Sequence, residues 1–406
     1  RLKSIGLTAG EDKINPTRIL WNDKKKHYDN KYKIYQLDRS TFCDNVPFVG
    51  DFNGDGYSDV FLIPYKIQNT YPNDIEGNVY LNNCEGGFYT TLAKLMNLSR
   101  NIEWVYVADI NGDDVDDIVL YELNNEFKNS DDNLVTLHFY VTKKSEFVKI
   151  ATYSYNHNVA LLPGKFMVKD NSGFLVVVSG DGNDDYGSVE YIRMNNDILE
   201  RYGVSGMGLF TNETDYAVFD ITGDGLSELM VLCDNGYKIL KLNNDGNYGF
   251  EVCSQGTSVV KDDFLFPNDY NGDGKTDLLY YKTSRQWKIA FSKGNAFDNP
   301  LSCTDTYLLG HVVLSTKDKY KYSLREMQSP SVAIRTGDFD GDGVADVAVF
   351  NNKAGNIYLE IGFKTYIKSD NKCDFANNER YYMPINYTHQ TIYIGRFLPQ
   401  ENVSIL

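Results

Sequence analysis

Side-chain oxygens recur in this chain on alternate residues, at a spacing that lets them meet at one point. The string DFNGDGYSD begins at Asp51, DINGDDVDD at Asp109, DITGDGLSE at Asp220, DYNGDGKTD at Asp269 and DFDGDGVAD at Asp338. Positions 1, 3, 5 and 9 of each copy carry an oxygen-bearing side chain, with Gly at 4 and usually at 6. Oxygens two residues apart converge only where the backbone coils tightly, and Gly supplies the positive φ that such a coil needs. Hard oxygen donors without imidazole or thiolate select Ca²⁺.

The spacing follows the first nine positions of an EF-hand loop, in which the seventh donates a backbone carbonyl. The first copy therefore offers Asp51, Asn53, Asp55 and Asp59 with the carbonyl of Tyr57. The second offers Asp109, Asn111, Asp113 and Asp117 with Val115. The third intact copy offers Asp220, Thr222, Asp224 and Glu228 with Leu226, and departs furthest from the pattern. Asp269, Asn271, Asp273 and Asp277 with Lys275 form the fourth set, and Asp338, Asp340, Asp342 and Asp346 with Val344 the fifth. Five structural Ca²⁺ ions are expected. They would bring the formal charge from −16 to −6.

Two further copies keep the frame and lose the ligands. The segment from Lys165 places Lys165, Met167, Lys169 and Gly173 at the four positions, and the segment from Arg396 places Arg396, Leu398, Gln400 and Ser404 there. Built-in cations replace an ion, so neither copy is expected to bind metal. The seven starts at 51, 109, 165, 220, 269, 338 and 396 recur every 57.5 residues on average and span nearly the whole chain.

Such loops need strands to hold them. Alternating or β-rich runs such as WVYVA from Trp104 precede the copies, and apolar runs such as VFLI from Val60 follow. A unit of this length holds four short strands. In the second, these are read at 103–108, 117–121, 134–141 and 147–153. The 31 Tyr and 22 Phe suit wedges between stacked sheets. The expectation is one all-β domain over residues 1–406, a seven-bladed β-propeller with four-stranded blades. Its ring would be closed by one blade shared between N-terminal strands, at 17–21 and 32–37, and the C-terminal copy. The longest interval carries extra sequence around 310–330, read as a protruding loop.

Other chemistries find little support. A net charge of −16 with pI near 4.8 repels phosphate backbones, so nucleic acid is not an expected partner. No apolar run is long enough to insert in a membrane. The six cysteines (Cys43, Cys84, Cys233, Cys253, Cys303, Cys373) contain no C-x-x-C, and the sequence leaves open whether they pair. The five histidines are dispersed, and GVSGM from Gly203 fails the nucleophile-elbow pattern at Met207. Sequons begin at Asn97, Asn212, Asn386 and Asn402. The chain opens with RLKSIG, without an initiator Met, and reads as an excised piece whose targeting segment has been removed.

The strings GDFNGDG, NGDGKTDLLYY and GDFDGDGVADVAVF resemble the FG-GAP/VCBS repeats of integrin-α-type propellers, through all seven units. RLKSI at Arg1 and PTRILW at Pro16 are similar to the entry segment of SpvB-like and Rhs (YD-repeat) proteins, including toxin-complex B components. That resemblance implies a secreted or cell-surface protein in which the propeller docks a protein partner or another region of its parent polypeptide. The resulting expectation is a non-catalytic, calcium-stabilised docking module. The alternative is a carbohydrate-binding, lectin-like propeller, with a polysaccharide lyase or hydrolase behind it.

Overall fold

The structure is a computed structural model. It describes residues 3–7, 17–21, 33–37, 45–64, 75–84, 88–99, 101–124, 134–143, 146–168, 172–180, 187–205, 208–211, 214–244, 246–304, 306, 308–310, 312–314, 332–339, 342–353, 356–367, 372–383, 394–395 and 404–405. Among these, six sheets are four-stranded, with strands in sequence order across each sheet. Blade 1 holds Asn45–Gly50, Asp59–Pro64, Ile75–Asn82 and Phe88–Leu98. Blade 2 holds Ile102–Ala108, Asp117–Leu123, Val135–Lys143 and Glu146–Tyr155. Blade 3 holds Val159–Gly164, Gly173–Val178, Ser188–Asn195 and Ile198–Val204. Blade 4 holds Asp215–Phe219, Glu228–Cys233, Gly236–Asn244 and Tyr248–Gly256. Blade 5 holds Phe264–Asn268, Asp277–Lys282, Gln286–Ala290 and Leu301–Ser302. Blade 6 holds Val332–Gly337, Asp346–Lys353, Asn356–Ile367 and Cys373–Met383.

The expectation of seven four-stranded blades is corrected. The fold is a β-propeller with six four-stranded blades, and the strands from the two chain ends build a five-stranded sheet instead. Its order is Ile394–Gly395, Ser404–Ile405, Lys3–Leu7, Thr17–Trp21, Lys33–Leu37. The N-terminus thus supplies three strands where two are expected. Lys3–Leu7 pairs antiparallel with Thr17–Trp21 and meets the C-terminal strand in parallel at Ser4↔Ile405. The sequence KSIGL has only Ile5 and Leu7 as large apolar residues, too short a pattern for alternation to single out.

The second strand of each blade is the most apolar because both of its faces are covered. Val60–Ile63, Phe174–Val177 and Leu229–Leu232 are buried without interruption. The fourth strand of blade 2 reads mostly exposed or half-buried. Strands buried on both faces lose the alternating pattern that half-buried ones show.

Described contacts divide the chain into two compact units. One comprises Arg1–Asn97, Phe264–Phe291 and Asn299–Leu406, the other Leu98–Asp263 and Ser292–Asp298. In the first, Trp287 packs on Tyr281 at 4.9 Å and donates its indole N–H to the Val312 carbonyl at 3.1 Å. In the second, Phe139 meets Phe174 edge-on at 5.5 Å between blades 2 and 3. Phe166, Tyr191, Tyr248 and Phe250 fill the space between blades 3 and 4. Most of the 310–330 insertion lies outside the described residues. No helix among the described residues is long and apolar enough to cross a membrane.

Candidate metal loops

All seven copies share one backbone register. The residue before position 1 pairs with position 9: Gly50↔Asp59, Ala108↔Asp117, Gly164↔Gly173, Phe219↔Glu228, Asn268↔Asp277, Gly337↔Asp346 and Gly395↔Ser404. The motif is therefore the turn between the first and second strands of its sheet.

Within that turn the position-1 carboxylate gathers the loop's own N–H groups. Asp51 accepts from Gly54 at 2.7 Å and Gly56 at 2.6 Å, and Asp269 from Gly272 and Gly274, each at 2.7 Å. Asp109 accepts from Gly112 and Asp114, Asp220 from Gly223 and Gly225, and Asp338 from Asp342 and Gly343. Gly54 and Gly56 sit at φ of 74° and 79°, and Asp114, where the second copy lacks Gly, is held at 61°. The position-5 carboxylate accepts the N–H of position 7: Tyr57 to Asp55, Val115 to Asp113, Leu226 to Asp224, Lys275 to Asp273 and Val344 to Asp342. Asn53 and Asn111 donate side-chain N–H to Asp55 and Asp113, while Asn271 accepts the N–H of Asp273. Asp340 lies outside the described residues.

Position 9 has a second role that spacing does not reveal. Asp59, Asp117, Asp277, Asp346 and Glu228 are fully buried. Each accepts the N–H of position 2, from Phe52, Ile110, Tyr270, Phe339 and Ile221. In blades 1 and 2 its other oxygen accepts an N–H from the third strand, from Asn82 at 2.8 Å and Thr142 at 2.6 Å. This residue clips the loop to the sheet. Burial pushes the carboxyls of Asp59, Asp117 and Glu228 up to about 7.

One loop brings its carboxylates closest. Among the described residues, only Asp220, Asp224 and Glu228 place three ligand oxygens within 4.8 Å of one another. The expectation of five equivalent clusters is thus reduced to one, and it is the copy that departs furthest from the motif. The extra methylene of Glu228 accounts for this: Oε2 holds the Ile221 N–H while Oε1, buried and without a hydrogen-bond partner, extends into the loop. An orphaned buried carboxylate oxygen beside two further carboxylates fits a hard dication. A protein cation also reaches the cluster. Lys241 Nζ lies 2.6 Å from Asp224 Oδ2 and 4.0 Å from Glu228 Oε1. Lys275 likewise sits 2.9 Å from Asp273 Oδ2.

Consecutive loops also touch through backbone. The position-8 N–H of Ser227 donates to the position-1 carbonyl of Lys165 at 2.6 Å, and that of Ala345 donates to Asp269 at 2.7 Å. The same link thus joins blade 4 to the decayed copy of blade 3 and blade 6 to the intact copy of blade 5.

Away from the loops, one acid–base convergence escapes sequence reading. Tyr155 donates to Glu190 Oε2 at 2.9 Å, and Arg201 Nε lies 3.6 Å from the same oxygen with its guanidinium over Tyr153. The members come from separate strands of blades 2 and 3, so only stacking unites them. Burial pushes the Tyr155 phenol upward, which keeps it protonated and donating. The cluster braces two blades.

Residues 51–120, covering the first two intact copies, match the family described as FG-GAP-like repeat. No curated protein matches the chain. Among solved structures, the chain is similar to a lectin from Agrocybe aegerita, described as specifically recognising non-reducing terminal N-acetylglucosamine. Identity is 14% and the TM-score 0.58, over 94% of this chain and 90% of that one. A hypothetical selenium-binding protein from Sulfolobus tokodaii aligns over the same shares at 9% identity, but its TM-score of 0.31 gives it no bearing on the fold.

Proposed function

We propose that this chain is a non-catalytic, calcium-stabilised propeller module that binds glycans. Its main support is the whole-chain fold likeness to a lectin, in a protein whose recognisable acidic clusters are engaged in structural loops. The proposal assigns an ion first to the loop beginning at Asp220, held by positions 1, 3, 5 and 9 and the position-7 carbonyl. It extends to the loops beginning at Asp51, Asp109, Asp269 and Asp338, which share the spacing although their carboxylates do not converge as closely. A bound ion would relieve the mutual repulsion of each carboxylate set, and the positions engaged mark such ions as structural rather than Lewis-acid centres. Extracellular modules of this donor type bind Ca²⁺ at roughly 10⁻⁴–10⁻³ M, which suits a secreted or surface location.

Glycan binding is preferred to the protein-docking role that the N-terminal strings suggest, because the lectin likeness covers nearly the entire chain and those strings only its first sheet. The test is a glycan array probed with calcium-loaded protein, with and without chelator. Saturable binding that chelation abolishes is the expected result. Turnover of a polysaccharide would overturn the non-catalytic reading. Binding to no glycan, with capture of a purified Rhs-type shell domain, would favour docking.

A further inference from the structure

Cys303 and Cys373 stand far apart in sequence and adjacent in the fold. Both are buried, at 0% and 1% exposure, in the same core cluster as Trp287, Leu308 and Val312. The residues immediately before them, Ser302 and Lys372, form a parallel bridge between the last strands of blades 5 and 6. In parallel pairing the next residues of the two strands also face each other, with side chains on a common side. That places two Cα atoms within the roughly 4.4–6.8 Å that a disulfide spans. In the structure both carry free thiols, and the Cys373 thiol donates to the Asp374 carbonyl at 3.8 Å. The Cys303 N–H is itself fixed, donating to the Trp287 carbonyl at 2.8 Å, so the pair sits on ordered backbone.

The other described cysteines have no such neighbour. Cys84 lies just after the third strand of blade 1. Cys233 and Cys253 belong to the second and fourth strands of blade 4, separated by the strand Gly236–Asn244. Two strand spacings of about 4.8 Å exceed the reach of a disulfide.

We infer that Cys303 and Cys373 form a disulfide that staples the outer strand of blade 5 to that of blade 6 and encloses residues 304–372, including the insertion. The oxidant is a low-molecular-weight disulfide of the glutathione class. One cysteine, as thiolate, attacks that disulfide to give a mixed disulfide and release one small thiol. The second cysteine loses its proton to solvent and attacks the protein sulfur of the mixed disulfide, releasing the second small thiol. Two protein thiols are oxidised by two electrons and one small disulfide is reduced to two thiols. Burial of both sulfurs places this exchange before the two blades close on each other.

The experiment refolds the full chain in calcium with an oxidised/reduced glutathione couple, alkylates it under denaturing conditions and maps peptides without reduction. The expected result is a linked peptide pair containing Cys303 and Cys373, with two of the six thiols protected. Thermal melting should show Tm several degrees higher for the oxidised chain than for the reduced chain. Cys303→Ala and Cys373→Ala should each abolish that difference. Alkylation of all six thiols, a link joining either residue to another cysteine, or equal Tm values for the oxidised and reduced chains would each overturn the inference. The peptide map uses the unaltered chain, so it decides the matter even where a variant fails to fold.

Discussion

Lys241 illustrates how one side chain can stand where an ion would. Its ammonium is 2.6 Å from Asp224, and burial, which pushes that carboxyl up, is outweighed by the Lys241 and Leu226 contacts that hold it below the usual range. An ammonium at this distance competes with Ca²⁺ for the same oxygens, weakened by solvent because both groups are partly exposed. Lys241→Met should therefore tighten calcium at the Asp220 loop by about tenfold, read as one site by titration calorimetry. Unchanged affinity would make the lysine a bystander. A second residue-scale case is the Glu122–His138 pair, 2.9 Å apart. Lys149 has only donors to offer His138 Nδ1, so Nε2 carries the proton and donates to Glu122. The His138 hydrogen bond, with help from Ser99, holds the Glu122 carboxyl below its usual 4.5. A lowered carboxyl contributes stability that is present above the ordinary value and lost as pH falls through the folded one. Glu122→Gln should accordingly be less stable than wild type at neutral pH and show a shallower loss of Tm below pH 4.5.

At the level of the elements, the turn and its two strands behave as one part. Gly272, at φ of 77°, would bring a Cβ to 3.1 Å from Val344 in the next blade's loop, whereas Gly274, at 80°, faces open space. Gly274→Ala should cost about 1 kcal/mol of backbone strain, and Gly272→Ala about 1–2 kcal/mol more, since a neighbour must also move. Equal denaturation midpoints for the two variants would show that the loops do not lean on each other. The strands on either side of every motif were legible in the sequence because apolar runs bracket an unmistakable turn. The Trp104–Ala108 run and the blade-2 strands lie where the pattern puts them. The terminal sheet was not legible, since KSIGL carries too little periodicity and its partner at Ile405 is nearly the whole chain away. For the candidate site, oxygen spacing marked the loop positions expected to hold a metal. It could not reveal that Asp59 and Asp117 spend both oxygens on backbone N–H groups, or that the extra length of Glu228 makes the least regular copy the most compact cluster. The first fact depends on the third strand, which is not part of the motif, and the second on which oxygen of Glu228 the loop backbone engages.

On the scale of the whole molecule, the formal charge of −16 is concentrated in the loops. On the proposed calcium binding, removing the ions leaves loop carboxylates repelling one another, and anything bound to the native state alone adds to its stability. Chelation should lower Tm, and raising ionic strength to about 0.5 M should recover part of the loss by screening. Differential scanning calorimetry with and without chelator checks both; a chelated chain that melts like the loaded one would place the ions outside the stabilising framework. The link from Ser227 to Lys165 bears on how such a molecule changes over evolutionary time. On the Lys165 side it uses only amide and carbonyl atoms, the Lys165 N–H in turn donating to the Ser227 hydroxyl at 3.1 Å, so the third copy carries none of the expected ligand side chains while remaining firmly seated beside the fourth. A copy can fall silent without unseating its neighbour. Each silenced turn then becomes an unoccupied mounting point, where new side chains can be tried with no risk to the frame.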